Sequence, residues 1–323
     1  MKKIVGILAA VAMAASLFAV DISAALKFNG SLFDMTFADG AKPSALTLKH
    51  PEGRKPWGQT GIDLNVSADK AGATMSIDNT GSICDYKMWI QPMDALKINF
   101  GSLDYCLNKE SIDYAGCLNG AGSQGIAADI TAGGFTLNLI FNPGYGNAWF
   151  NGTVVGNTAV MAKYGADFGT IGLAWIAEPT DKSFGKNTIS VGYSNNFNGI
   201  SMFVDAAMIL GSSLSNIKAD LFVKGNADAF GYAAYVDFDF DAANSKVAGV
   251  GAKAKLTYAL DACTPYLYVK AANVLADPFE MTIKPGVNFN VGAAGVEIAA
   301  DLTVSGATGG TKLSVPFGVN LNF

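Results

Sequence analysis

The chain has 323 residues, half of them hydrophobic, a mean hydropathy of +0.27 and a formal net charge of −5. An acidic balance without a basic run excludes a nucleic-acid surface, and no uncharged apolar run after Phe18 approaches the roughly 20 residues of a membrane-spanning helix. One histidine (His50), one arginine (Arg54) and four cysteines without CxxC spacing make no metal set and poor material for a catalytic centre, so neither an enzyme nor a cofactor is expected.

Met1-Lys2-Lys3 forms a positive n-region, and Ile4 to Phe18 an uncharged run followed by small residues. This is the pattern of a cleavable secretory signal, with a retained anchor as the other reading. Residues 1–19 are the expected leader, with cleavage as late as Ala25 in the alternative. Residues 20–323 are then one domain.

From Ala24 on, apolar and polar residues alternate with the period that places successive side chains on opposite faces of a strand. Leu26, Phe28, Gly30 and Leu32 share one face; Lys27, Asn29 and Ser31 share the other. A polar loop with Pro43, Pro51 and Pro56 is expected at 35–59, where Leu46–Lys49 is a further weak strand candidate. Ile62, Leu64 and Val66 oppose Asp63, and Asp69-Lys70 turns the chain. Met88 and Ile90 oppose Lys87 and Trp89; beyond a turn at 92–94, Ile98 and Phe100 oppose Lys97 and Asn99. Ile126 and Ala128 oppose Asp129 and run into Gly133-Gly134, a short hairpin signal. Val160, Ala162 and Tyr164 oppose Lys163, with Asp167 on the same polar phase.

In the second half, Tyr193 leads through a tight turn at 195–199, opened by Asn195-Asn196, into Met202, Val204 and Ala206, which oppose Asp205. Lys218 and Asp220 alternate with Ile217, Ala219 and Leu221. Asp237 and Asp239 alternate with Val236, Phe238 and Phe240. Lys253 and Lys255 lie between Ala252, Ala254 and Leu256. Lys270 opposes Val269, Lys284 opposes Ile283, and Glu297 and Asp301 oppose Ile298 and Leu302. The last strand sets Lys312, Ser314, Asn320 and Asn322 against Leu313, Val315, Phe317, Val319, Leu321 and Phe323.

About 18 strands result, with 16 as the neighbouring even number, joined by connections that alternate tight and long. The fold class is all-β: an antiparallel up-and-down transmembrane barrel. The long set is 35–59, 102–123 and 143–157. A lysine on the lipid face at mid-bilayer costs about 2–4 kcal/mol. The strand charges fall on the polar phase, so the apolar phase faces lipid and the charged phase lines the lumen. A soluble two-sheet sandwich predicts the same alternation; the leader, the final strand and the turn-length asymmetry favour the barrel.

The final strand, alternating and ending on an aromatic residue, resembles the C-terminal strand of bacterial outer-membrane β-barrels of the porin type. Their assembly machinery recognises a terminal Phe preceded by alternating apolar residues, here Phe323, Leu321 and Val319. The resemblance implies an outer-membrane location with lipid as surroundings, periplasmic tight turns, extracellular long loops, and passive diffusion of ions and small hydrophilic solutes through a hydrated lumen. It leaves homo-oligomerisation open. The Lys-rich, Arg-poor style resembles spirochaete (treponemal) outer-membrane proteins. A surface adhesin or structural barrel acting through its loops is the alternative function, and a hydrophobic-solute transporter the third.

General porins fold one long loop inward as an acidic eyelet facing clustered arginines. The 102–123 loop, with Asp104, Lys109, Glu110 and Asp113, is the candidate here, although a single arginine departs from that pattern; inward and surface placements are both open. The topology puts Cys84, Cys106 and Cys117 at one end of the barrel and Cys263 at the other. One disulfide is expected, Cys106–Cys117 first and Cys84 with either second. Trp89, Trp149, Trp175, Tyr145, Tyr258 and Phe323 fit interfacial girdles. Trp89, Phe203, Phe222, Tyr235, Tyr266 and Tyr268 fall on the polar phase, too scattered along the chain to define a solute path.

Overall fold

The computed structural model describes residues 21–38, 61–78, 81–112, 117–118, 120–142, 157–180, 183–211, 213–276, 279–305 and 310–323. The expected leader, the strand candidate at Leu46–Lys49, most of the 35–59 and 143–157 loops, and Asp113 lie outside them. The strands of the first half are Asp21–Ala38 (β1), Gly61–Ala68 (β2), Ala71–Asp78 (β3), Ile83–Met93 (β4), Leu96–Tyr105 (β5), Ala121–Ala132 (β6), Phe135–Asn142 (β7), Asn157–Ala166 (β8) and Gly169–Thr180 (β9). Those of the second half are Ser183–Phe197 (β10), Ile200–Leu210 (β11), Leu214–Ala227 (β12), Phe230–Asp241 (β13), Lys246–Tyr258 (β14), Cys263–Ala271 (β15), Glu280–Val291 (β16), Ala294–Ala299 (β17), Asp301–Ser305 (β18) and Gly310–Asn322 (β19).

Apart from β17 and β18, each strand pairs antiparallel with its neighbours in sequence, and β1 pairs with both β2 and β19, so the sheet closes on itself. β17 and β18 both lie between β16 and β19 and are one wall strand interrupted at Ala300, which gives a closed barrel of 18 strands. Closure leaves no unpaired edge, the condition for a sheet in lipid. At the seam, the backbone N–H of Phe323 donates to Ala24 O (2.9 Å), and that of Ala24 donates to Phe323 O (3.2 Å).

β11 shows how the alternation settles which face is outside. Met202, Val204, Ala206 and Met208 are exposed on the outer surface, while Phe203, Asp205, Ala207 and Ile209 are buried inside. Leu26, Phe28, Leu173, Val191 and Leu221 are exposed in the same way on other strands. A water-soluble sandwich would bury this phase. Here it forms the outer surface of the barrel, as a bilayer requires.

Several boundaries differ from the sequence reading. β1 runs on to Ala38, held by its pairing with β19, so 35–38 are wall rather than loop. Ser102–Tyr105 pair with Ala121–Gln124, which shortens the 102–123 loop to 106–120. Asn195 and Asn196 are strand residues opposite Met202 and Ser201. The turn itself falls within the expected 195–199 span, at Asn198 (φ 50°) and Gly199 (φ 81°), two successive left-handed positions that suit the twist of a two-residue hairpin. Asp167 sits exposed in the turn between β8 and β9, because β8 ends at Ala166, and so is not a lumen-wall residue.

Candidate functional site

Residues 106–112, the described first half of the loop between β5 and β6, fold into the barrel. A disulfide between Cys106 and Cys117 closes the neck of the loop, with Cα atoms 6.1 Å apart; Cys84 and Cys263 are free thiols. From β8, Lys163 Nζ donates to the carbonyls of Cys106 (3.0 Å) and Leu107 (2.6 Å). Both carbonyls would otherwise be left without a strand partner, and a charged donor satisfies them strongly. Leu107 then packs among Leu103, Ala127, Ile140, Met161 and Ala174 on the inner wall.

Two small wall residues make room for this approach. A Cβ on Gly172 of β9 would lie 2.8 Å from Leu107 Cδ2, and one on Gly192 of β10 would lie 2.9 Å from Asn108 Nδ2. Past them, Asn108 Nδ2 donates to Asp205 Oδ1 of β11 at 2.6 Å. Farther along, Lys253 Nζ of β14 donates to Glu110 Oε1 at 2.8 Å, across 143 positions of sequence. Glu110 is 0% exposed. Its other oxygen accepts the backbone N–H of Ile112 at 2.5 Å, so the carboxylate both anchors the loop to the wall and turns it. Ile112 is seated in a cluster with Phe203, Phe222, Tyr235, Tyr266 and Tyr268. Residues 106–112 therefore reach from the end of β5 to β14 and narrow the lumen.

Strand order explains how those aromatic residues meet. Phe203, Phe222, Tyr235 and Lys253 stand opposite one another on β11 to β14, and Lys255, Tyr268 and Lys284 do so on β14 to β16. The Phe203 and Phe222 rings stack at 5.1 Å between centroids. Lys253 lies 5.1 Å from the Tyr235 ring centre, and Lys255 and Lys284 lie 4.8 and 5.8 Å from that of Tyr266. Each pair is within the range of attraction between a cation and a ring face. Asp205, Asp220 and Asp237 form an adjacent row, opposite one another on β11 to β13, and Tyr235 Oη donates to Asp220 at 3.0 Å.

The other expected lumen charges are distributed around the wall. Lys27 pairs with Asp63, Lys218 with Asp239 (3.5 Å), and Lys284 with Glu297 (2.9 Å), which also accepts from Tyr266. Asp129 accepts from Asn99 (2.7 Å) and Asn138 (2.8 Å), while Lys97 lies over the Trp89 ring. Lys270 stands between Lys253 and Thr282, Asp301 accepts from Thr303, and Lys312 is exposed on β19. Lys109 pairs with Asp104 at the loop itself. The loop contacts of Leu107, Asn108 and Ile112 had no signal in the sequence. The aromatic cluster had one: once neighbouring strands are aligned in register, the lumen-phase rings fall at neighbouring levels.

A closed 18-strand barrel with an apolar exterior, a charged interior and a loop folded into that interior is the fold of an outer-membrane β-barrel of the porin type. No protein family and no curated protein matches the chain by sequence. Solved structures match it in fold. Pseudomonas aeruginosa OccK11 (OpdR) superposes with a TM-score of 0.62 at 10% identity, over 94% of this chain and 96% of that one. P. aeruginosa OpdQ does so with 0.61 at 10% identity, over 94% and 98%. The P. aeruginosa outer membrane protein OpdK does so with 0.57 at 8% identity, over 94% and 98%.

Proposed function

We propose that the chain is an outer-membrane porin through which ions and small hydrophilic solutes diffuse passively. One observation carries this reading: residues 106–112 narrow the barrel through named contacts from Cys106 to Ile112, inside a wall whose inner face bears charges of both signs. An 18-strand wall encloses a channel unless something fills it. Charges that face such a space need water, and hydrated solutes can follow. Selectivity arises at the ring made by the loop, the lysines of β14 to β16 and the aspartates of β11 to β13. The reading includes no catalytic step.

The two ends and the partners belong to the same proposal. Asp21–Ala24 pair with Leu64–Ser67 of β2, so removal of residues 1–19 leaves the first strand whole, whereas cleavage after Ala25 would strip part of it. The tight turns face the periplasm and the long loops the exterior. Phe323, Leu321 and Val319 present the assembly signal. Homo-oligomerisation would use the apolar outer wall.

Swelling of liposomes that contain the refolded mature protein tests the reading. Uncharged solutes of rising size should enter at falling rates, with a sharp cut-off set by the loop. Liposomes that do not swell in any of them, although the barrel is folded, would shift the function to the surface loops.

A further inference from the structure

We propose that a cavity beside the inward loop is a binding pocket for a neutral, polyhydroxylated solute of monosaccharide size. The proposal rests on the porin reading and names a solute class for it. The cavity has a volume of about 450 Å³ and lies between Lys109 of the loop and the wall from β8 to β12, at the end of the barrel that carries the tight turns Asp167–Phe168 and Asn198–Gly199. Small-molecule sites fall at about 300–1,000 Å³.

Its chemistry is neutral and two-sided. Thr170 of β9, Ser194 and Asn196 of β10 and Ser201 of β11 contribute hydroxyls and an amide. Asn196 Nδ2 donates to Ser201 Oγ at 3.2 Å. That bond leaves the Asn196 carbonyl oxygen as an acceptor and the Ser201 hydroxyl hydrogen as a donor, a pair that matches one sugar hydroxyl. The stacked rings of Phe203 and Phe222 border the same space and suit the C–H face of a pyranose. Among the described residues the single charged one that lines the cavity, Lys109, is paired with Asp104. An anion would meet that carboxylate and a cation the ammonium; a neutral polyol is penalised by neither.

The test is single-channel recording in symmetric KCl with glucose added, on wild type and on the double variant Asn196→Ala/Ser201→Ala, with currents divided by the bulk conductivity of each solution. Wild type should show a saturable loss of normalised current. The double variant should keep the sugar-free conductance and need at least about fivefold more glucose for half the effect, the loss expected from removing neutral hydrogen bonds. Should the double variant not fold, Ser201→Ala alone is read the same way, with a shift of roughly twofold or more. Normalised currents that glucose leaves unchanged in wild type, or lowers equally in wild type and variant, would overturn the pocket while the porin reading stands. No sugar-free current from wild type would overturn both.

Discussion

Glu110 holds the loop against the wall, and its position makes a sharp prediction. The side chain is 0% exposed, bonded to Lys253 on one oxygen and to the Ile112 amide on the other. Glu110→Gln keeps the volume but replaces the carboxylate that both donors use. Breaking a buried ion pair from one side costs about 3–5 kcal/mol, more than the packing of one isoleucine in an aromatic cluster returns. The segment around Glu110 and Ile112 should therefore lift from the wall. We expect a larger and noisier single-channel conductance in E110Q, with an unchanged barrel by circular dichroism; a conductance equal to wild type would contradict the anchoring role. Gly192 gives a steric version of the same test. Gly192→Leu would fill the space that Asn108 Nδ2 uses to reach Asp205 and should produce the same increase in conductance.

At the scale of elements, the disulfide and the strands answer different questions. Cys106–Cys117 closes a short loop, and a bridge of this kind contributes typically 2–4 kcal/mol by restricting the unfolded chain. The barrel hydrogen-bond ladder does not depend on it. Reduction, or Cys106→Ser/Cys117→Ser, should thus leave the heat-modifiable gel shift of a folded barrel intact and make the loop newly susceptible to protease. Loss of the folded band would show that the loop is needed to build the wall. The strands are tested from the outside. Val204→Lys and Leu221→Lys each place an ammonium on the exposed apolar surface, at a cost of about 2–4 kcal/mol near mid-bilayer. Equilibrium unfolding from lipid bilayers should report that loss, whereas Lys270→Ala on the inner face should change ion preference and leave stability within error.

For the whole molecule, the architecture was legible because a two-residue period survives in almost every strand and because charge cannot face lipid. The phase of β11, read from Met202, Val204 and Ala206 against Asp205, is the phase the strand adopts. Boundaries were less legible: Asn195-Asn196 is turn-like in sequence, yet pairing with Ser201 and Met202 outweighs local preference and moves the turn to the next left-handed-tolerant pair. The site was legible in its charges and illegible in its contacts. Lys253 and Glu110 both stood out as titratable residues, but nothing local joins positions 143 apart. Their meeting depends on the reach of a loop across a closed cylinder, which only the assembled wall defines. The same holds for Phe203, Phe222 and Tyr235, scattered along the chain and contiguous in the sheet.

The measurement that bears most directly on this account is planar-bilayer recording from the refolded mature protein, with the reversal potential taken in a salt gradient. An open barrel narrowed by a charged ring predicts discrete ohmic steps and a reversal potential that shifts toward anions when Asp205 and Asp237 are changed to Asn. A folded, heat-modifiable barrel that inserts and passes no current would contradict the porin reading.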